Sequence, residues 1–302
     1  MKKLILGIIL ITLVTIVNFK KEDIYYHYQI QKLKHNYINE NNEYYFDYEI
    51  SYLKKDHKLE LKNKQDIKNS IYTLLNSGAT TINKYCSKEY KECLNDIKNI
   101  ANDSNLLSYI SSFVHPYNSF NNLTFTFDGT INLEIKNNKI YSNEEIQQIN
   151  KKVDEVIADL IKFNMNDEER IKAIHDYIID NTKYDTLKNI NIKDTTYKSN
   201  TAYGVLFEGY GICSGYSDAM AIFLTKLGYT NYKISNENHI WNLVLLNDTW
   251  YHIDLTWDDP VYTNTDINKI EYNYFLKTTE ELRKQQDDEH YFDETIYKEA
   301  KE

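Results

Sequence analysis

The sequence predicts an α+β protein, and three stretches of the 302-residue chain support that prediction. Residues 122–135 alternate apolar and polar side chains around Asp128-Gly129, a pattern typical of a β-hairpin. Residues 142–181 change to the 3.6-residue period of two amphipathic helices. The capping box at Ser142 and Glu145 predicts where the first begins, and Asn166, with Glu169 three residues on, where the second begins. Residues 213–257 begin as a helix and continue as two paired strands. Helices and hairpins therefore occur in the same chain, as an α+β fold requires.

Beyond these stretches, the N-terminal part of the chain is harder to interpret. Residues 22–65 are polar and lysine-rich, which indicates a linker or a mixed segment with short strands. Residues 66–113 are predicted to be mostly helical, with a break at Asn76-Ser77-Gly78. The change from strand to helix period near residue 140 predicts a boundary. We expect an α+β region of unknown function at 22–140 and a second domain at 141–302.

The first 21 residues predict a signal peptide or an N-terminal membrane anchor. Two lysines precede the 14-residue apolar run Leu4–Val17, and two more follow it. A basic start and an apolar core are typical of export signals, although a spanning helix needs about 17–25 residues. The region contains no alanine and no small-residue cleavage site. We expect a membrane-anchored or secreted protein on the extracellular face, with a buried core helix as the remaining alternative.

The charge of the chain argues against nucleic acid as a partner. The net charge is −10 and the pI is near 5.4. Domains that bind nucleic acids usually present a basic face and a basic pI. The acidic composition favours solubility and by itself indicates no specific partner.

The three cysteines predict one pair and one free thiol in an exported protein. Cys86 and Cys93 lie seven residues apart, and in one helix their Cα atoms would be about 10 Å apart, too far for a disulfide. If Cys86 precedes the helix and the chain turns back, a bridge can form, so both alternatives remain open. Neither a CxxC pair nor a histidine cluster accompanies them, so no structural zinc site is predicted.

Cys213 lies in the segment where the chain concentrates its few glycines. Five of the eight glycines fall within residues 204–228, and Gly209, Gly211 and Gly215 surround Cys213. These glycines predict that another backbone, or a substrate, comes close to this cysteine. The apolar period after Cys213 predicts a helix that begins at this cysteine and ends near Gly228. The unpaired N–H groups of a helix N-terminus favour a reactive thiolate. The alternative is a buried structural cysteine that acts as a small hydrophobe.

A thiolate nucleophile needs a base, and residues 238–260 supply candidates for it. Two apolar-rich runs flank Asn247-Asp248, which predicts a two-residue hairpin turn. In that register His239 and Asp254 are diagonal neighbours on one face of the hairpin, about 7–8 Å apart at Cα. His239 is therefore the candidate base and Asp254 the carboxylate that orients it.

Other residues near these candidates have simpler interpretations. His252 shares the same face and is a rival base, whereas His175 fits a core or rim position. The acidic group Asp254, Asp258 and Asp259 is more typical of strand-end carboxylates than of a cation site. The three tryptophans that follow Cys213 are most simply core residues.

The motifs GxCxGYSxA, HxWN and WYHxDxTWDDP, in that order, resemble the transglutaminase-like superfamily of papain-type fold. The upstream IHDYIIDNTKYD resembles the helix that precedes the nucleophile segment in bacterial members. The resemblance covers residues 170–277 and implies a core in which the nucleophile helix packs on an antiparallel sheet. It also implies Cys213 as nucleophile, His239 as general base and acid, and Asp254 as orienting residue. Residues 22–140 match nothing whose function can be carried over.

From this resemblance we expect an exported thiol acyl-transfer enzyme, a cysteine peptidase, amidase or protein-glutamine acyltransferase. Its substrate would be a protein or peptide carboxamide, with a cell-wall component as a further partner, and it would need no cofactor or metal. The alternative is a non-catalytic extracellular scaffold or binding module of the same fold. The substrate, and the choice between hydrolysis and transamidation, are left open by the sequence.

Overall fold

A computed structural model describes residues 21–31, 42–128, 131–191, 193–260 and 270–301. Helices and antiparallel strands occur together, so the predicted α+β class is confirmed. The predicted signal or anchor and the turn residues at 129–130 lie outside the described residues, apart from Lys21. Among the described residues, no helix combines the length and the apolar character needed to cross a membrane.

Ten α-helices occur in the described ranges: α1 Lys21–Gln31, α2 Lys64–Asn76, α3 Cys93–Ala101, α4 Ser104–Ser112, α5 Asn143–Leu160, α6 Asp167–Asp180, α7 Thr186–Ile190, α8 Cys213–Lys226, α9 Leu255–Asp258 and α10 Thr279–Arg283. Nine strands accompany them: β1 Glu60–Leu61, β2 Thr81–Cys86, β3 Phe120–Asp128, β4 Asn132–Lys139, β5 Lys183–Tyr184, β6 Tyr210–Gly211, β7 Asn231–Ser235, β8 Ile240–Leu246 and β9 Thr249–Ile253. Short 3₁₀ turns at Pro116–Asn118 and Lys298–Lys301 and a π turn at Gly204–Glu208 complete the regular structure.

The strands form three sheets. The N-terminal sheet has the order β1-β2-β4-β3, in which β1 and β2 are parallel and the other pairs antiparallel. A two-stranded parallel pair joins β5 to β6, and an antiparallel sheet has the order β7-β8-β9. Helix α8 packs against β7 and β8. The expected arrangement of nucleophile helix on antiparallel sheet is therefore present.

Most of the predicted elements are found at the predicted places. Strands β3 and β4 pair antiparallel as the hairpin pattern requires. Helix α5 begins with a capping box between Ser142 and Glu145, and α6 with one between Asn166 and Glu169. In each box the side-chain oxygen accepts from a backbone N–H that the first helical turn would leave unpaired.

The prediction of a mostly helical segment at 66–113 is wrong at Thr81–Cys86, which form strand β2. Burial alternates along this strand, and Ile82, Lys84 and Cys86 all face inward. A strand with one buried face is recognised in a sequence by alternating apolar and polar residues. Lys84 is a polar residue at an inward position, so it interrupts that alternation. Its ammonium donates to the carbonyl of Asp56 at 3.0 Å and to that of Lys58, which compensates for its burial.

Of the two alternatives for Cys86 and Cys93, the disulfide is the one present. Cys86 ends β2 and Cys93 begins α3, so the chain turns back between them and their Cα atoms lie 6.0 Å apart. Cys213 is therefore the one remaining cysteine of the three.

The buried apolar side chains form two clusters that cross the predicted boundary near residue 140. One joins the N-terminal sheet and α2–α4 to Tyr232 and Ile234 of β7 and to Trp241 of β8. The other joins α5, α6 and α8 to Tyr117 and Tyr141. The division into a 22–140 region and a 141–302 domain stays a prediction, and the shared core packs the two parts against each other.

Candidate active site

The segment before α8 places Cys213 at the first residue of that helix. Gly209 has a φ of +72°, a left-handed conformation that glycine adopts without the steric cost of a Cβ. A Cβ at Gly215 would overlap the carbonyl oxygen of Ser199. The predicted close approach of backbone to this helix is therefore real, and the backbone that approaches is the loop at Ser199. The Cys213 thiol is part-exposed at the end of the helix that carries the unpaired N–H groups.

The turn between β8 and β9 sets the register that the site requires. Asn247 and Asp248 both have positive φ values, +49° and +63°, as a two-residue type I′ turn requires. Leu246 pairs with Thr249, as predicted, and Leu243 pairs with His252. His239 precedes β8 and Asp254 follows β9, so the two side chains come from the same end of the hairpin.

All three predicted site residues come together. His239 Nε2 contacts Asp254 Oδ2, and His239 also hydrogen-bonds to Cys213, which leaves Nδ1 as the nitrogen that meets the thiol. His239 is 6% exposed and Asp254 is 2% exposed. Burial lowers the pKa of His239, but the charge and the hydrogen bond of Asp254 outweigh it and raise this pKa to about 10. The imidazolium form is therefore favoured at neutral pH.

Asp254 is held at both carboxylate oxygens. Oδ1 accepts from the backbone N–H of Thr256 at 2.8 Å and of Trp257 at 3.4 Å, because Asp254 is the N-cap of α9. Burial would raise the pKa of Asp254, yet His239 and His290 hold it well below its usual range. The carboxylate is thus kept charged and fixed in orientation.

His290 is a site residue that the sequence did not reveal. Its Nε2 lies 2.8 Å from Asp254 Oδ2, the atom that His239 contacts, and its Nδ1 lies 2.7 Å from Asp287 Oδ1. The ring is 6% exposed and stacks on Tyr274 at 4.5 Å. Both ring nitrogens therefore lie at hydrogen-bond distance from a carboxylate oxygen. His290 lies 36 residues after Asp254 and outside the recognised motifs, so no spacing rule connected them.

Trp241 is a core residue beside the site, and it shields the imidazole of His239 from solvent. Its ring stacks on His239 at 5.6 Å with an interplanar angle of 19°, and it is 1% exposed. Its Nε1 donates to His252 Nδ1 at 2.9 Å. Water exclusion strengthens the neighbouring imidazole–carboxylate contact because the local dielectric is low.

The rival histidines have other partners in the structure. His252 Nε2 lies 2.9 Å from Thr279 Oγ1, and burial lowers the pKa of His252 to about 3. His175 is fully buried, with Nδ1 3.0 Å from Asp176 Oδ1 and Nε2 3.3 Å from Asp258 Oδ2. Neither ring contacts Asp254, and the acidic group at 254–259 is divided between separate partners.

In the part of the chain that the structure describes, His239, Asp254 and His290 are the group whose donor atoms could hold a metal, all within 4.8 Å of one another. Their donor atoms instead meet each other in hydrogen bonds. The prediction that the site needs no metal is not tested by this geometry.

A tyrosine hydroxyl also lies in electrostatic range of the thiol. Tyr184 of β5 interacts with the charges of Cys213 and Asp254, and burial raises its pKa to about 12. Strand β5 pairs with Gly211, two residues before Cys213, which explains the proximity. The phenol therefore stays protonated and able to donate a hydrogen bond at neutral pH.

Comparison with known proteins gives a family match over part of the chain. Residues 154–255 match the model of the transglutaminase-like superfamily. This segment contains all three predicted site residues, and the match agrees with the superfamily that the motifs predicted. Four chains of solved structures match as well. One is a TGase with 17% identity and a TM-score of 0.34, in a match that covers 52% of this chain and 49% of that chain, so this chain spans about half its length. Comparison with curated proteins gave no match.

Proposed function

We propose that this protein is a thiol acyl-transfer enzyme in which Cys213, His239 and Asp254 form the catalytic triad. The observation that supports the proposal most strongly is the continuous contact from the Cys213 thiol through His239 to Asp254. The only free cysteine, the base and the carboxylate are thus arranged as nucleophilic catalysis requires. The superfamily match at 154–255 supports the same proposal.

In the resting state His239 carries a proton, because the charged Asp254 raises its pKa. Cys213 lies beside it at the first residue of α8, where the unpaired N–H groups of the helix stabilise negative charge. Asp254 is the orienting residue because it touches only the ring nitrogen that faces away from the thiol. His290 is a positioning residue that acts through Asp254, since it holds the same carboxylate oxygen.

Acylation begins when Cys213 Sγ attacks the carbonyl carbon of a carboxamide. A carbon–sulfur bond forms, and the carbonyl oxygen becomes an oxyanion that the backbone N–H of Cys213 stabilises, a donor worth about 3–4 kcal/mol in comparable sites. Tyr184 is a second candidate donor. The carbon–nitrogen bond then breaks, and His239 gives its proton to the leaving ammonia or amine.

The thioester is released by water or by an amine. Neutral His239 takes a proton from the incoming water or amine, whose oxygen or nitrogen bonds to the carbonyl carbon. The carbon–sulfur bond then breaks, and the sulfur leaves with its electron pair beside the protonated His239. Every proton that leaves the nucleophile is accounted for on His239. No cofactor enters these steps.

We also propose that the protein is exported, either anchored through residues 1–21 or secreted. The apolar run behind a basic start supports this, and the Cys86–Cys93 disulfide is typical of oxidising compartments. A scaffold of the same fold is the alternative function. It has no need for a charged triad, whereas the contacts at Cys213, His239 and Asp254 are complete.

Mass spectrometry of a trapped acyl-enzyme tests the proposed function. Glutamine-containing peptides are incubated with the protein, with and without an added amine, and the mass of the Cys213 peptide is recorded after acid quench. In the wild-type protein, we expect the peptide that contains Cys213 to gain the mass of the acyl group. In Cys213→Ala and Cys213→Ser, the corresponding peptide should show no such gain. Turnover that survives in Cys213→Ala, or no adduct with any peptide, contradicts the proposal.

A further inference from the structure

Tyr274 contacts three of the groups that surround the candidate triad. Its backbone carbonyl accepts the N–H of Asp254 at 3.1 Å. Its ring stacks on the imidazole of His290, with the centroids 4.5 Å apart and an interplanar angle of 19°. Its hydroxyl donates to Asp287 Oδ2 at 3.2 Å. One residue therefore reaches the orienting carboxylate, the histidine beside it and the carboxylate on the far side of that histidine.

Tyr274 is itself held by the helix that Asp254 caps. Its backbone N–H donates to Asp258 Oδ1 at 2.9 Å, and Asp258 is the last residue of α9. The ring of Trp257, also in α9, packs edge-on against the phenol at 5.2 Å. Tyr274 is 7% exposed and Asp258 is fully buried. The position of the phenol is therefore fixed relative to the carboxylate of Asp254.

The stack with Tyr274 limits the orientation of the His290 ring. The bond that joins an imidazole to its Cβ has a broad rotational preference, so packing has to select the plane of the ring. Face-to-face contact with the phenol selects the plane in which Nε2 lies 2.8 Å from Asp254 Oδ2. Trp241 and Trp257 meet the same imidazole edge-on at 5.1 and 5.2 Å. A turn of the ring would break the stack and the contact with Asp254 together.

The hydroxyl of Tyr274 fixes the other partner of His290. Asp287 Oδ1 accepts the backbone N–H of His290 at 2.9 Å and lies 2.7 Å from its Nδ1, while Oδ2 accepts from the phenol. Burial and the charge of Asp287 raise the pKa of Tyr274, so the hydroxyl keeps the proton that it donates. The carboxylate is thus held at both oxygens, as Asp254 is.

We propose that Tyr274 is a positioning residue for acyl transfer, which holds His290 in the ring orientation that contacts Asp254 and so keeps this carboxylate aimed at His239. The inference rests on the proposed function and adds to it a residue that acts through His290 and Asp254, not on the reacting atoms. A core tyrosine that supports only the fold is the alternative that the test has to separate from it.

Two variants of Tyr274 and one control separate the ring from the fold. Tyr274→Leu removes the stack and the hydroxyl, whereas Tyr274→Phe keeps the stack. Both retain the backbone carbonyl that accepts from Asp254. Tyr117→Leu is the matched control, because Tyr117 is 1% exposed and its ring also packs against a histidine, His115, at 4.7 Å. Thermal unfolding midpoints show how far each variant is destabilised.

The first readout is the single-turnover rate of Cys213 acylation by a glutamine peptide. Tyr274→Leu should lower this rate about 2- to 12-fold, the range that one aromatic stacking contact allows. Tyr274→Phe should recover most of that loss, and Tyr117→Leu should keep the wild-type rate. In a His290→Leu background, Tyr274→Leu should cause no further loss, because the ring through which it acts is gone.

The second readout needs no substrate. In protein that contains ¹⁵N-labelled histidine, the ring N–H signal of His290 is identified by its absence in His290→Gln. Its exchange with solvent should be about 2- to 12-fold faster in Tyr274→Leu, for the same reason, and unchanged in Tyr274→Phe and Tyr117→Leu. This measurement reports the orientation of His290 whether or not the protein transfers acyl groups.

Four outcomes overturn the inference. Unchanged exchange at His290 in Tyr274→Leu would show that the stack does not hold the ring. An equal loss of rate in Tyr117→Leu would assign the effect to the fold. A full further loss in the His290→Leu background would show that Tyr274 acts by another route. Tyr274→Phe, the mildest change, would exclude the ring as the orienting group if it lost as much rate as His290→Leu. If the wild-type protein forms no adduct, the proposed function fails, and the exchange at His290 alone decides whether Tyr274 orients that ring.

Discussion

His290 Nε2 lies 2.8 Å from Asp254 Oδ2, the carboxylate oxygen that also contacts His239. The other nitrogen of His290 lies 2.7 Å from Asp287 Oδ1. Cys213, His239, Asp254, His290 and Asp287 therefore form one continuous chain of contacts. The buried carboxylate of Asp254 meets the protonated His239, and such pairing is the condition under which buried charges are tolerated.

Replacement of His290 should slow acyl transfer more than it lowers stability. His290→Leu removes both hydrogen bonds and should lower kcat about 10- to 100-fold, the value of one hydrogen bond to a charged group. His290→Gln keeps one N–H near Asp254 and should recover part of that loss. Single-turnover acylation rates and thermal unfolding midpoints measure the two effects.

His115→Gln is the matched control for that experiment, because His115 is also a buried histidine but packs against Tyr44 and Tyr117 instead. It should lower the unfolding midpoint and leave the acylation rate unchanged. Equal losses of rate in His115→Gln and His290→Leu would show that His290 acts only through the fold.

Acyl transfer should decline as the pH rises through about 10. The pKa of His239 is raised from 6.5 to about 10, so above that pH the imidazolium loses the proton that the leaving amine needs. Asp254→Asn removes the charge that raises this pKa and should move the alkaline limb of the pH profile down towards 6.5. An alkaline limb at the same pH in both proteins would contradict this assignment.

The same shift links pH to stability. The folded-state pKa of His239 lies above its ordinary value of 6.5, so its contribution to the free energy of unfolding is complete below about pH 6.5 and is lost as the pH rises to about 10. Urea unfolding at pH 6, 8 and 10 should show a steeper loss in the wild-type protein than in His239→Gln. Parallel losses in the two proteins would exclude this linkage.

Loss of the Cys86–Cys93 disulfide should cost about 2–3 kcal/mol of the free energy of unfolding, as expected for a short closed loop. The double variant Cys86→Ser/Cys93→Ser, unfolded in urea with and without reductant, measures this cost. Reductant should destabilise the wild-type protein and leave the double variant unaffected. A double variant as stable as the wild type would contradict the estimate.

The buried pair of Asp218 and Lys233 should be more costly to break than a surface pair. Asp218→Ala leaves the Lys233 ammonium and the Tyr141 hydroxyl without their carboxylate, at a cost of about 3–5 kcal/mol. Glu280→Ala breaks the exposed pair with Lys284 and should cost far less, because solvent screens that pair. Chemical denaturation of the two variants checks the difference, and equal costs would contradict it.

Short-range signals in the sequence predicted the core of the candidate site. Asn247-Asp248 determines the hairpin register, and that register alone placed His239 beside Asp254. The glycines around Cys213 predicted the close backbone approach that Gly215 makes to Ser199. The capping boxes at Ser142 and Asn166 predicted where α5 and α6 begin. In each case the information lies within a few residues of the feature.

The parts that the sequence did not reveal depend on long-range contacts. His290 contacts Asp254 across 36 positions of the sequence. Lys84 can occupy an inward strand position because its ammonium donates hydrogen bonds to two carbonyls that are distant in the sequence. A polar residue at that position interrupts the strand pattern, and a helix was predicted there instead. Local periodicity cannot report any of these contacts.

The rate at which iodoacetamide labels Cys213 at pH 6 tests most directly whether His239 activates this thiol. The wild-type protein should be labelled at pH 6 almost as fast as at pH 8, because the proposed triad keeps a protonated His239 beside the sulfur over that whole range. His239→Ala should be labelled slowly at pH 6, and His252→Ala, if folded, at the wild-type rate. Slow labelling of the wild-type protein at pH 6, or equal rates with and without His239, would contradict the proposed triad.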